Sequence, residues 1–198
     1  IDTKVYHPMD QGMARELLGL PSGKRLLLFG ALNVTDKRKG IDYLIEALRR
    51  MEKQDVELVV FGQVKDDIRG LFPVPIHSMG YLSDESKIVA LYNAVDMFIT
   101  SSLEENLPNT IMESMACGTP CVGFEIGGIP EMIDHRVNGY VANYKDAGDL
   151  ANGIQWVLEH EDRLALSDAC VKKVQENYTE EVVAKQYTAL YEKLLKGE

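Results

Sequence analysis

The chain has 198 residues, 45% hydrophobic and 26% charged, a composition that fits one globular domain with a full core and argues against disorder. Its net charge of −10 argues against a general nucleic-acid binder, whose phosphate contacts need a basic surface. No apolar run approaches the roughly 20 residues of a membrane span, no signal-peptide layout opens the chain, and no Cys/His spacing suits zinc.

Ile1–Pro8 has weak periodicity and reads as an interdomain connection, so residues 1–9 are assigned to a linker remnant and 10–198 to the domain. From residue 25 to 142 apolar runs alternate with helical patterns. Strands are expected at Arg25–Gly30, Val56–Gly62, Pro75–Met79, Asp96–Thr100, Pro120–Phe124 and Tyr140–Ala142. Helices are expected near Ile41–Lys53, Asp84–Asn93, Thr110–Cys117 and Pro130–Asp134. Runs such as Leu26-Leu27-Leu28-Phe29 indicate strands buried on both faces. Regular βα alternation then predicts an α/β, Rossmann-like, doubly wound parallel sheet. Two helical stretches follow, Gly148–Asn177 (broken near Glu161) and Thr179–Lys196. The last carries Val182, Val183, Gln186, Tyr187, Leu190, Tyr191 and Leu194, a stripe expected to pack on this same domain. Cys117 and Cys121 sit among small and apolar residues and read as buried packing groups. With Cys170 they make three, which cannot all pair, so a reduced, cytoplasmic setting is the simplest reading.

Two constellations carry chemistry. Glu105 lies in the polar loop after one strand, and Glu113, eight positions on, falls inside an otherwise apolar helix. Helical side chains lean toward the helix amino end, so Glu113 is expected to point at the mouth that Glu105 lines. A favourable helix dipole explains a first-turn glutamate, but not one flanked by Ile111, Met112, Met115 and Ala116. Lys37-Arg38-Lys39 precede the helix at Ile41, where cations are disfavoured unless an anion shares the site. A phosphate held by Lys39 or Arg38 and by free backbone N–H groups resolves that conflict; a solvated basic loop is the plainer account. Gly80, Tyr81 and Leu82 follow another strand and could hold a flat base or simply cap the core. Gly127-Gly128 allow close backbone approach, or mark an ordinary turn. Neither a G-x-G-x-x-G nor a Walker pattern is present.

Taken together, these residues match a family. The chain resembles the C-terminal, nucleotide-sugar-binding domain of retaining GT-B glycosyltransferases, the large family 4 group with the E-x7-E motif. Glu105 and Glu113 carry that spacing, and Ser114 to Val122 look like the helix and strand that follow it. Arg38-Lys39-Gly40 look like the phosphate-lysine turn, and Gly127 to Glu131 with Asn138-Gly139 fit the later segments. The family's usual arginine after the first-strand glycine is Ala31 here, and Asn106-Leu107-Pro108 replace its usual Gly-Phe-Gly. Pro108 has no N–H, which leaves Leu107, Asn109 and Thr110 as the candidate backbone donors there. The resemblance implies that Lys39 holds the donor diphosphate, Glu113 the ribose and Glu105 the transferred sugar, with Glu105 and Lys39 the catalytic candidates. The donor-binding set is then Arg38, Lys39, Gly80, Tyr81, Leu82, Glu105, Asn106, Leu107, Asn109, Thr110 and Glu113.

What this implies is a hexosyltransferase of polysaccharide biosynthesis using a UDP- or GDP-linked sugar, with no metal and no cofactor. Its acceptor, a glycan or a lipid-linked one, would be held by an N-terminal domain absent from the chain, so this part alone is expected to be inactive. No nucleic acid and no transmembrane segment are expected; the full-length protein would be cytoplasmic or peripheral at the inner face of the membrane. A sugar-nucleotide epimerase of similar architecture and a non-catalytic nucleotide-binding module are the competing readings. Glu105→Gln is expected to leave binding of the bare nucleotide nearly unchanged, and Glu113→Gln to weaken it.

Overall fold

The computed structural model describes residues 1–33, 36–51, 55–63 and 70–196. At its centre is a six-stranded sheet: β1 (Arg25–Asn33), β2 (Val56–Gln63), β3 (Ile76–Gly80), β4 (Met97–Thr100), β5 (Cys121–Phe124) and β6 (Gly139–Ala142). All pairings are parallel and the order is β3-β2-β1-β4-β5-β6, the doubly wound arrangement expected. Alternate residues of β1 serve opposite faces. Leu27 and Phe29 join the core layer under α2 (Ile41–Arg50) and α6 (Ala147–Leu158). Leu26 and Leu28 join the layer under α3 (Glu85–Ala94), α4 (Asn109–Ala116) and α7 (Arg163–Asn177). That two-sided burial is why the strands read as unbroken apolar runs. A short α5 (Ile129–Met132) links β5 to β6.

The helix expected over Ile41–Lys53 ends at Arg50, where Met51 takes up extended backbone; Glu52 and Lys53 lie outside the described residues. The stretch Gly148–Asn177 divides into α6 and α7, with Glu161 in the break. One helix was not anticipated: α1 (Gln11–Leu18), capped by the Asp10 carboxylate accepting from the Met13 N–H and closed by Gly19 at φ 65°. It buries Arg15, whose guanidinium donates to the Ala94 carbonyl at 2.7 Å and to Asp96 Oδ2 at 3.0 Å. Asp96 also accepts from the Leu26 N–H at 2.7 Å and from Arg163 at 2.6 Å, which ties α1 and α7 to the amino ends of β1 and β4.

Ile1–Pro8 lies against the domain. The amino group of Ile1 donates to the Tyr178 carbonyl at 2.6 Å, and Asn93 Nδ2 donates to the His7 carbonyl at 3.1 Å. The final helix, α8 (Glu180–Lys196), corrects an expectation. It buries no residue, and Tyr187, Leu190, Tyr191 and Leu194 of its apolar stripe are all exposed. Val182 and Val183, at the start of the stripe, are half-buried, and α8 touches α7. Cys117, Cys121 and Cys170 are buried and unpaired, and burial pushes the Cys117 and Cys121 thiols up to about 12.

Candidate functional site

β1 and β4 are neighbours from which the chain leaves in opposite directions, β1 toward β2 and β4 toward β5. The crevice outside their carboxyl ends is therefore the topological switch point, where open α/β sheets take their ligands. A cleft of about 580 Å³ opens there. Its walls include Gly30 of β1 with Arg38 and Lys39 after it, Thr100 of β4 with Glu105 after it, Phe61 from β2, Tyr81 and Leu82 after β3, and Thr110 of α4.

The basic turn is built locally and then fastened across the cleft. Lys37–Lys39 form one turn of 3₁₀ helix, capped by Asp36, whose carboxylate accepts from the Arg38 N–H at 3.0 Å. The Leu103 N–H donates to the Arg38 carbonyl at 2.6 Å and Ser101 Oγ to the Lys39 carbonyl at 2.9 Å, so the turn after β1 is stapled to the loop after β4. Gly40 permits this: it sits at φ 60°, and a Cβ there would collide with the Ser101 carbonyl. Lys39 Nζ then reaches Glu105 Oε1 at 2.6 Å. Arg38 folds back on Asp36 at 2.7 Å, and its bonds hold the Asp36 carboxyl below the usual range. The expected conflict between cations and a helix amino end is thus met in the free protein by two carboxylates. Neither α2 nor α4 has a side-chain cap, because Gly40 and Pro108 occupy their N-cap positions; both helices begin at this cleft with N–H groups available.

Glu105 and Thr110 line the cleft, while Glu113 sits one turn further along α4, behind Thr110. Its Oε2 accepts from the Tyr92 hydroxyl at 2.8 Å. Burial raises the Glu113 carboxyl above its ordinary value; the Tyr92 bond opposes that rise and the Glu85 charge adds to it. Gly80 ends β3 at φ 64° and turns the chain so that Tyr81 and Leu82 face the cleft. The Asn106 carbonyl accepts from the Gly128 N–H at 2.6 Å, and a Cβ on Gly127 would strike the Glu105 carbonyl, so these glycines serve close backbone approach. Asn109 is exposed at the start of α4. Leu107 lines a separate groove with Tyr187 and Leu190 of α8. The side chain of Ala31 lies outside the described residues. Sequence reasoning missed Asp36, Phe61, Tyr92 and Ser101. Asp36 had a local signal, an Asx cap two residues before Arg38; Tyr92 and Ser101 act on partners far along the chain. Among the described residues no three His, Cys, Asp or Glu side chains converge as a metal site would need.

This geometry defines a class, the doubly wound α/β domain with a polar ligand crevice at the β1/β4 switch point. The family model described as Glycosyl transferases group 1 matches residues 23–160, and the chain belongs to that family. N-acetyl-alpha-D-glucosaminyl L-malate synthase of Bacillus anthracis is 24% identical over all of this chain and 53% of its own length. D-inositol 3-phosphate glycosyltransferase of Mycolicibacterium smegmatis is 27% identical over 81% of this chain and 39% of its own. Among solved structures, sucrose-phosphate synthase from Thermosynechococcus elongatus superposes with a TM-score of 0.82 at 24% identity, covering all of this chain and 52% of that one. Anabaena HepE, solved with UDP and glucose, superposes at 0.80 and 20% identity, covering 97% of this chain and 55% of that one. The fold is that of the C-terminal half of GT-B glycosyltransferases, as the motifs implied. The chain spans about half the length of these relatives.

Proposed function

We propose that this domain binds the nucleotide-sugar donor of a retaining, metal-independent glycosyltransferase that passes a hexosyl group to a glycan or lipid-linked acceptor. The observation that carries this reading is the Lys39–Glu105 pair in the switch-point cleft, between two helix amino ends that lack side-chain caps. A diphosphate entering the cleft takes Lys39 from Glu105 and accepts from the free N–H groups of α2 and α4. Glu105, released, accepts from hydroxyls of the sugar. Glu113 accepts from the ribose, and Tyr81 and Leu82 flank the base. As the glycosidic bond breaks, negative charge grows on the leaving diphosphate. Lys39 and the helix ends stabilise it where it develops, and the leaving oxygen takes the acceptor proton on the same face. The family relation and the solution of a similar fold with UDP and glucose support this assignment.

Thermal melting of the chain with UDP, GDP and ADP tests it. One of the three, at 100 times its dissociation constant, stabilises the fold by about 2.7 kcal/mol. Lys39→Ala removes most of that gain at the same ligand concentration. No shift with any of the three at millimolar concentration overturns the proposal.

A further inference from the structure

Tyr92 is almost wholly buried, with 1% of its surface exposed, yet its hydroxyl is spent on a single acceptor, Glu113 Oε2 at 2.8 Å. The ring cannot swing away from that bond. Phe61 meets it edge-on with centroids 6.4 Å apart, Phe98 does the same at 6.1 Å, and Thr119 Oγ1 donates to the Tyr92 carbonyl at 2.8 Å. Phe61 and Phe98 are also cleft walls, so one aromatic layer shapes the cleft and fixes the tyrosine behind it. Among the described residues only Oε2 of Glu113 is bonded, which leaves Oε1 for a ligand.

We propose that Tyr92 is a positioning residue for ribose recognition: it locks the Glu113 carboxylate in the rotamer that offers Oε1 to the ribose hydroxyls. The inference rests on the assignment of Glu113 to the ribose made above. A second consequence follows from charge. The groups that face Glu113 are Tyr92 and Glu85 from α3, Tyr6 from the amino-terminal segment and Cys117, which closes its own helix. Burial and Glu85 favour the protonated carboxyl, and the Tyr92 bond favours the ionised form that accepts from a hydroxyl. Without it, Glu113 holds its proton to higher pH.

The test is calorimetric binding of UDP and 2′-deoxy-UDP, with the GDP and ADP pairs in parallel, to the wild type, Tyr92→Phe, Glu113→Gln and the double variant, from pH 5 to 8. The wild type is expected to prefer the ribonucleotide by roughly tenfold. Tyr92→Phe loses most of that preference, and the acid limb of its ribonucleotide binding moves to higher pH; titration of the diphosphate is common to both proteins and cancels. The double variant, which leaves no buried carboxylate without its donor, matches Glu113→Gln. Ribose preference and pH limb both unchanged in Tyr92→Phe overturn the inference while leaving Glu113 on the ribose. Should Tyr92→Phe fail to fold, a double variant that binds ribonucleotide several-fold more weakly than Glu113→Gln overturns it instead. No ribose preference in the wild type overturns both readings together.

Discussion

Lys39 and Glu105 are each other's counter-ion in the free protein, at 2.6 Å, with both side chains partly shielded from solvent. That pairing changes what is expected of Glu105→Gln. A nucleotide diphosphate must displace Glu105 to reach Lys39, so removing the carboxylate charge is expected to tighten binding of bare UDP by about two- to fivefold. Sugar transfer by the full-length protein falls at the same time. Titration calorimetry and product formation read the two effects separately, and equal or weaker UDP binding counts against the displacement. Glu113 behaves differently. Its carboxyl is raised from an ordinary 4.5 chiefly by burial, so the folded protein holds this proton more tightly than the unfolded chain does. The associated stability is fully present below pH 4.5 and is lost as pH rises through the folded value. Glu113→Gln keeps an acceptor for Tyr92 without the buried charge. It is expected to melt higher than wild type at pH 7, with the advantage shrinking toward pH 4.5, while ribonucleotide binding weakens. Melting curves at the two pH values check the sign. A carboxylate kept where an amide is more stable is a sign of use rather than of packing.

The turn from β1 into α2 depends on Gly40, whose φ of 60° and lack of a Cβ let Lys39 and Ser101 meet. Gly40→Ala is expected to cost about 1–3 kcal/mol and to weaken UDP binding more than its effect on melting explains, because the turn that presents Lys39 shifts. The same stretch shows where local reading succeeds. The strands, the basic turn and the place of Glu105 at the cleft were legible because each is marked by residues near in sequence, the apolar runs, the Arg38-Lys39-Gly40 triplet and the polar loop after β4. Helix α1 was not, since Met13 and Leu17 face solvent while a charged residue, Arg15, faces inward. Its caps, Asp10 and Gly19, were the available signal. Arg15→Ala strips a buried partner from Asp96 and is expected to destabilise the fold by about 3 kcal/mol, measured by urea denaturation. Helix α8 misled for the opposite reason: its periodic stripe marks an apolar face but not the surface that face meets.

The alternation of strands and helices predicted a doubly wound sheet, but the switch point between β1 and β4 comes from the strand order itself, β3-β2-β1-β4-β5-β6. What could not be read is how the loops meet across it, since the bonds from Ser101 and Leu103 to the basic turn join residues more than sixty positions apart. Under the proposed function every cleft residue named above serves the donor, so none of the described residues is assigned to orient an acceptor, and orientation is worth roughly 7–11 kcal/mol of barrier. The chain is accordingly expected to bind donor but form no glycosidic bond, in an assay with the full-length protein as positive control; transfer at the parent's rate overturns that. The charge arrangement has a further, kinetic consequence. Among the described groups at the cleft, Arg38 is matched by Asp36 and Lys39 by Glu105, and the whole chain carries −10. An approaching diphosphate therefore meets little attraction at a distance beyond the exposed Lys37 and the two helix ends, and the chain's overall charge repels it until it is nearly seated. Added salt screens that repulsion, so the association rate is expected to rise with ionic strength, the reverse of a basic phosphate site, even as the contact with Lys39 weakens and dissociation quickens. A protein so arranged does not gather passing anions; it admits the one that can exchange places with its own carboxylate.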